Sequence, residues 1–325
     1  MTTPAAGNFR PYIEGLIEQK RALGHPYEDS ARILRNFDAF CRENYPDESR
    51  LTRTLVMHWA EKREGEQVNG LACRLTPVRQ LAKYLHRLGL EAYLLPPGLP
   101  GKLIRYVPHV FTDQELKAFF AEIDRCPVNP QYPARHVVMP VFFRVLYACG
   151  LRLSEARRLT VADVDLATGK LVIRQSKGHR ERTVMMSEEV LDLCRVYQTQ
   201  VSRLAPSRLA FFPNPYGQPY GRHAIDAWFR EFWAKTGFTH PSGNPPRVYD
   251  SRSGHSFAVK RLNLWVQEGK DLNACLPYLS LYMGHAHLTA TDYYLHLVPE
   301  FFPVVKEKSR AYGANLIPEV DHDRR

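Results

Sequence analysis

The sequence predicts a mainly α-helical protein of two domains, the second of which carries a small antiparallel β-sheet. Three observations predict it. Apolar residues recur at helical spacing through residues 8–95 and through most of the chain after residue 108. A Pro/Gly-rich stretch, Leu95-Pro96-Pro97-Gly98-Leu99-Pro100-Gly101-Lys102, breaks any helix between the two regions. Residues 170–176 and 182–186 read as two short strands either side of a turn at Lys177-Gly178-His179.

The first block holds four helices. Phe9, Tyr12, Ile13, Leu16 and Ile17 share one face of the first, and Ile33, Leu34, Phe37 and Phe40 continue the period in the second, over 27–45. Leu55, Val56, Trp59 and Ala60 mark a third over 52–64. The fourth covers 69–88, with Pro77 as a site of kinking or splitting and Gly89 as its stop. Lys20, Arg21, Arg32, Arg35, Lys83 and Arg87 fall on the polar faces. Residues 1–95 are therefore one helical domain and residues 96–107 a linker.

The second domain, 108–325, opens on Phe111-Thr112-Asp113-Gln114-Glu115-Leu116. Thr112 with Glu115 is a capping box, and Phe111 with Leu116 is a hydrophobic staple. An apolar helix over 137–149 stops at Gly150, and a short helix over 153–159 follows. After the two strands, helices are expected from Ser187, over 225–233, over 253–268, over 272–283 and over 289–296.

Composition narrows the chemistry. The 325 residues carry a formal net charge of +10, with an isoelectric point near 9.3. Residues 1–107 hold 16 Lys/Arg against 12 Asp/Glu, and the remainder 28 against 22, so the excess is shared by both halves. A polyanion is the natural partner, since each neutralised phosphate releases a counterion; ordinary solubility charge is the alternative. No run of eighteen apolar residues predicts a membrane span, and the first residues do not read as a secretory leader. Cys41, Cys73, Cys126, Cys149, Cys194 and Cys275 are scattered without a Cys-x-x-Cys pair and read as reduced, buried thiols of a cytoplasmic protein. His285 and His287 have only Asp292 nearby as a further ligand, so no metal site is expected.

Two stretches carry chemistry. The first is Gly150-Leu151-Arg152-Leu153-Ser154-Glu155. The second is Met283-Gly284-His285-Ala286-His287-Leu288-Thr289-Ala290-Thr291-Asp292-Tyr293-Tyr294-Leu295-His296, in which Tyr294 follows His285 by nine residues. Together they resemble the arginine box and the nucleophile end of the tyrosine recombinases, the phage integrase family. Helical residues 1–95 resemble that family's core-binding, SAM-like domain by position, and 108–325 its catalytic domain.

The resemblance implies a role for each residue. Moving a DNA phosphodiester without metal requires a nucleophile, cations on the non-bridging oxygens, an acid for the leaving hydroxyl and a base. Arg152 resembles the first phosphate clamp, a task that suits a planar guanidinium. Lys177, at the hairpin turn, resembles the lysine that protonates the leaving 5′-hydroxyl. Tyr294 resembles the nucleophile, with Tyr293 as its competitor, and would form a 3′-phosphotyrosyl link. A free tyrosine ionises only near pH 10, so it needs a base and the clamp. His285 resembles the family's late histidine, which contacts the phosphate or orients the nucleophile.

The second arginine box departs from the family's His-x-x-Arg. Here Tyr249-Asp250-Ser251-Arg252 places Tyr249 at the histidine position, and Ser253-Gly254 separates Arg252 from His255-Ser256-Phe257-Ala258. Arg252 is the expected second clamp. His255 either supplies an imidazole from a shifted register or caps a helix.

The resemblance thus implies a metal- and ATP-independent, cofactor-free recombinase of a mobile element, acting on double-stranded DNA. It further implies a homotetramer on two sites, accessory DNA-binding proteins, and a cytoplasmic location on the nucleoid. Two alternatives stand beside it: a non-cleaving DNA-binding accessory protein of the same fold, and a type IB topoisomerase.

Overall fold

The structure is a computed structural model and describes residues 9–104, 109–174, 181–239, 246–248, 256–285, 287–292 and 294–295. Its chain divides into two compact units, Met1–Tyr106 and Val107–Arg325.

The first unit is a bundle of α1 (Arg10–Ala22), α2 (Glu28–Asn44), α3 (Arg53–Ala60) and α4 (Val68–Arg87). The apolar stripes meet in one core, including Ile13, Leu16, Ile17, Leu34, Phe37, Leu55, Leu75 and Leu81. Thr52 caps α3, accepting a hydrogen bond from the Leu55 amide at 3.4 Å. Helix α4 continues through Pro77. The missing amide and ring clash of an interior proline cost about 3 kcal/mol, and burial of Leu75, Pro77, Val78 and Leu81 offsets it. Trp59 meets Phe37 edge-on, and the guanidiniums of Arg63 and Arg74 lie 5.1 and 5.0 Å from its ring centre. Arg74 is itself fixed by Glu66 at 2.8 Å and by the carbonyls of Trp59 and Glu61.

The Pro/Gly stretch is fastened to this unit over part of its length. Arg79 donates to the carbonyls of Leu95, Pro96 and Leu99 at 3.3, 3.0 and 3.1 Å. The side chain of Asn69 donates to the carbonyl of Ile104 and accepts from its amide, at 2.7 and 2.9 Å. The Pro96 carbonyl also accepts from the Leu99 amide at 3.2 Å, and Arg79 serves the Leu95 and Leu99 carbonyls as well.

The second unit contains α5 (Asp113–Asp124), α6 (Arg135–Ala148), α7 (Leu153–Arg158), a 3-10 turn (Val161–Asp163), β1 (Val164–Asp165), β2 (Lys170–Ile173), β3 (Arg182–Met185), α8 (Glu188–Leu204), α9 (Arg222–Lys235), α10 (Ser256–Gln267), α11 (Leu272–Met283) and α12 (Thr289–Asp292). Thr112 and Glu115 form the expected capping box on α5, and Phe111 and Leu116 are both buried. Helix α6 is the central element, with Val138, Met139, Phe142, Phe143 and Leu146 all in the main core. Phe119, Phe143, Phe229 and Trp233 interlock there as an aromatic cluster.

The sheet is antiparallel in the order β1-β2-β3, with Lys170 opposite Met185 and Ile173 opposite Arg182. The expected two strands therefore gain a third, β1, whose two residues pair with Leu171 and Lys170. The helix expected over 289–296 ends at Asp292, and Tyr294 and Leu295 have 3-10 geometry. A separate small core of Ala258, Val259, Leu262, Leu276, Leu279, Met283 and Tyr294 joins α10, α11 and the end of the described chain. Of the six thiols, Cys41, Cys126, Cys149 and Cys194 are buried; Cys73 is exposed and Cys275 is partly so.

Candidate active site

Arg152 sits at a junction set by two local signals. Gly150, at φ 65°, ends the segment of α6 in the left-handed region that glycine adopts without strain. Arg152 is then the N-cap of α7 in extended conformation. Its amide donates to Glu155 Oε2 at 2.8 Å, and its Nη1 donates to Glu155 Oε1 at 2.8 Å. Its Nη2 donates to the carbonyl of Gly284, 132 residues away, at 2.8 Å.

Glu155 also receives a second guanidinium. Arg182, the first residue of β3, donates from Nη1 and Nη2 to the two carboxylate oxygens, each at 2.8 Å, and from Nε to the Tyr282 carbonyl at 2.8 Å. The Glu155 side chain is 2% exposed. Burial pushes its carboxyl up, but the hydrogen bonds and charge of Arg182, with those of Arg152, outweigh burial and hold it below the usual carboxylate value.

The carbonyl that Arg152 grips belongs to a second glycine stop. Gly284 ends α11 at φ 66°, ψ 40°. A Cβ there would stand 3.1 Å from Arg182 Nη1 and 3.3 Å from Arg152 Nη1. The turn is closed by the His285 amide bonding to the Ser280 carbonyl at 3.0 Å. His285 Nδ1 lies 2.8 Å from Thr291 Oγ1. The imidazole stacks on the Tyr294 ring with centres 6.0 Å apart and planes 20° from parallel. Tyr294 is 5% exposed and belongs to the small core. Tyr282 anchors the same corner from behind: its hydroxyl donates to the Cys149 carbonyl at 3.2 Å, and its ring stacks on Phe257 at 5.5 Å. Burial pushes its phenol well up, so it stays a neutral donor.

The fold thus brings Arg152, His285 and Tyr294 into one chain of contacts. Lys177, Arg252 and His255 lie outside the described residues, as do Tyr249 and Tyr293. Sequence reasoning missed three participants: Glu155 as the shared carboxylate, Arg182 as its second partner, and Thr291 as the partner of His285. Signals for two of them existed. Glu155 stands three residues after Arg152, the capping-box step. Arg182 is two residues before the buried Val184, and period-two alternation puts both on the inward face of β3.

Residues 109–300 match the phage integrase family. The chain belongs to that family, the tyrosine recombinases. A relative from Sinorhizobium fredii (strain NBRC 101917 / NGR234), bearing the name integrase/recombinase y4rB, is 30% identical over 313 residues, 93% of this chain and 96% of its own. Tyrosine recombinase XerD of Proteus mirabilis is 27% identical over 261 residues, 77% of this chain and 75% of its own. Among solved structures, the Tn1549 transposon integrase in complex with transposon right end DNA has the same fold, with a TM-score of 0.61. That likeness covers 94% of this chain and 99% of the other at 18% identity. Two stretches far apart in sequence, α7 and the turn after α11, meet in this unit through Arg152 and the Gly284 carbonyl.

Proposed function

We propose that this tyrosine recombinase cuts and rejoins double-stranded DNA at specific sites through a 3′-phosphotyrosyl intermediate, in the integration or excision of a mobile element. One observation carries the reading. The Arg152 guanidinium is tied to the carbonyl of Gly284, the residue before His285, whose ring stacks on Tyr294. A phosphodiester beside Arg152 would meet a cation, an imidazole and a phenol from segments about 130 residues apart in sequence.

In this reading Tyr294 Oη attacks the phosphorus, the P–O5′ bond breaks, and the tyrosyl ester keeps the bond energy for religation. Lys177 gives its proton to the departing O5′. Arg152 and Arg252 pair with the non-bridging oxygens, where one preorganised donor is worth on the order of a hundred- to a thousandfold in rate. His285 supplies imidazole to the phosphate, and His255 takes the phenol proton as Tyr294 attacks. No step draws on a metal or a nucleotide.

The +10 charge supports a DNA partner. The kinship with y4rB, and the fold shared with a transposon integrase, support the mobile-element role. Residues 1–95 act as the core-binding domain, 96–107 as the linker and 108–325 as the catalytic domain. Four protomers assemble on two sites, with accessory DNA-binding proteins, on the nucleoid in the cytoplasm.

The test is a covalent trap. Nicked duplexes from DNA flanking the gene are incubated with the protein without metal and run under denaturing conditions. An adduct mapping to Tyr294 and absent in Tyr294→Phe is expected. Tight binding with no adduct on any substrate would overturn strand cleavage in favour of a non-cleaving accessory role, and an adduct on Tyr293 would shift the nucleophile by one residue.

A further inference from the structure

Arg182 and Arg152 use Glu155 differently. Arg182 presents a two-pronged fork, one nitrogen to each carboxylate oxygen, and gives its third nitrogen to the Tyr282 carbonyl. Arg152 gives the carboxylate a single guanidinium nitrogen and gives another to the Gly284 carbonyl. The Arg182 side chain is 8% exposed and that of Arg152 is 12% exposed. Among the described residues, two guanidiniums therefore share the Glu155 carboxylate.

We propose that Arg182 is a positioning residue that neutralises Glu155 and so leaves the charge of Arg152 available to the scissile phosphate. The inference rests on the strand-cleavage reading above. Glu155 is needed to orient Arg152, because it holds both the amide and the guanidinium of that residue. Alone, however, a buried carboxylate in contact with Arg152 would cancel the very charge it orients, and would repel a phosphodiester in a site of low dielectric. Arg182 removes the conflict. Its fork matches the carboxylate geometry, and all three of its guanidinium nitrogens point at protein groups. Arg152 retains an Nε–H and further Nη hydrogens without a partner among the described residues. The depressed carboxyl of Glu155, held down chiefly by Arg182, agrees with this assignment.

The placement of Arg182 also makes chemical sense of the sheet. It pairs with Ile173 at the last described step between β2 and β3, the connection whose sequence includes Lys177. The same side chain that balances Glu155 therefore ties β3 to α11 through Tyr282.

The experiment uses the full chain and the nicked substrate under single-turnover conditions, with Arg182→Gln, Glu155→Gln and the double variant. Arg182→Gln is expected to slow adduct formation at least about a hundredfold, and Arg182→Lys much less. The double variant, with the excess negative charge removed, is expected to be at least about tenfold faster than Arg182→Gln alone. A purely structural role for Arg182 predicts a double variant no faster than the single one, and that result would overturn the proposal, as would an unslowed Arg182→Gln. A second readout does not need cleavage: the rise in melting temperature caused by orthovanadate, a phosphate mimic. It should be present in wild type, absent in Arg182→Gln and restored in the double variant. That vanadate pattern without any wild-type adduct would sink strand cleavage and leave the role of Arg182 standing. A vanadate response that ignores Arg182 would sink the role of Arg182 whatever the adduct assay reads.

Discussion

His285 Nδ1 and Thr291 Oγ1 are 2.8 Å apart, and Thr291 has no exposed surface. The contact closes the loop between α11 and α12 and sets the plane of the imidazole that stacks on Tyr294. Thr291→Val keeps the shape and deletes the hydroxyl, stranding a part-buried ring nitrogen at a cost of about 1–3 kcal/mol. The expected result is a lowered urea midpoint and slower adduct formation, with Thr291→Ser close to wild type in both. Equal loss in the serine variant would mean that the methyl group, not the hydroxyl, is what matters.

Both arginines crowd the place where a Cβ at Gly284 would stand. Alanine there takes on a left-handed backbone, at about 1–2 kcal/mol, and its Cβ presses on two guanidiniums already held by Glu155. Gly284→Ala is expected to lower the melting temperature by a few degrees and to reduce cleavage far more than that loss of stability explains. Single-turnover rates well below the melting transition separate the two effects.

The depressed carboxyl of Glu155 fixes the sign of a pH effect. A carboxylate lower in the folded than in the unfolded chain adds stability that is complete above the unfolded value of about 4.3. That stability is lost as pH falls through the lower folded value. Urea midpoints should therefore hold steady near neutrality and drop steeply below about pH 4. Glu155→Gln should be less stable near neutrality, because it leaves two guanidiniums without a counter-charge, and should show a shallower acid drop as the two converge. An unchanged slope would remove Glu155 from the acid response.

Arg79 holds three carbonyls of the Pro/Gly stretch. In Arg79→Ala these groups lose their shared donor, and the stretch should become open to protease. Limited proteolysis read by mass spectrometry should show new cuts between residues 95 and 104, with the far-ultraviolet circular dichroism unchanged. No new cuts would mean that Leu95 and Asn69 alone suffice to hold the segment.

The parts of the fold that were legible were those with strong local chemistry. Thr112 with Glu115 announced α5, and Gly89 and Gly150 marked where helical segments stop, because each signal acts within a few residues. Strand β1 was not legible: two residues carry no period, and only pairing with Leu171 and Lys170 makes them a strand. Pro77 suggested a break that tertiary burial overrode. At the site, Arg152, His285 and Tyr294 were readable because their spacings resemble a family's. Period-two alternation put Arg182 on the inward face with Val184, but did not show its partners. Its partners, Glu155 and the Tyr282 carbonyl, are 27 and 100 residues away in sequence, and no local pattern reports such distances.

Trp59 is the one tryptophan of the first unit; the other three of the chain are Trp228, Trp233 and Trp265. Its ring lies against Phe37 with two guanidiniums nearby, so its emission reports on α3 and α4 and on whether Arg63 has been drawn elsewhere. With the other three changed to phenylalanine, the chain would carry its own optical probe of one unit. A fluorescence change on adding DNA would then belong to the bundle alone.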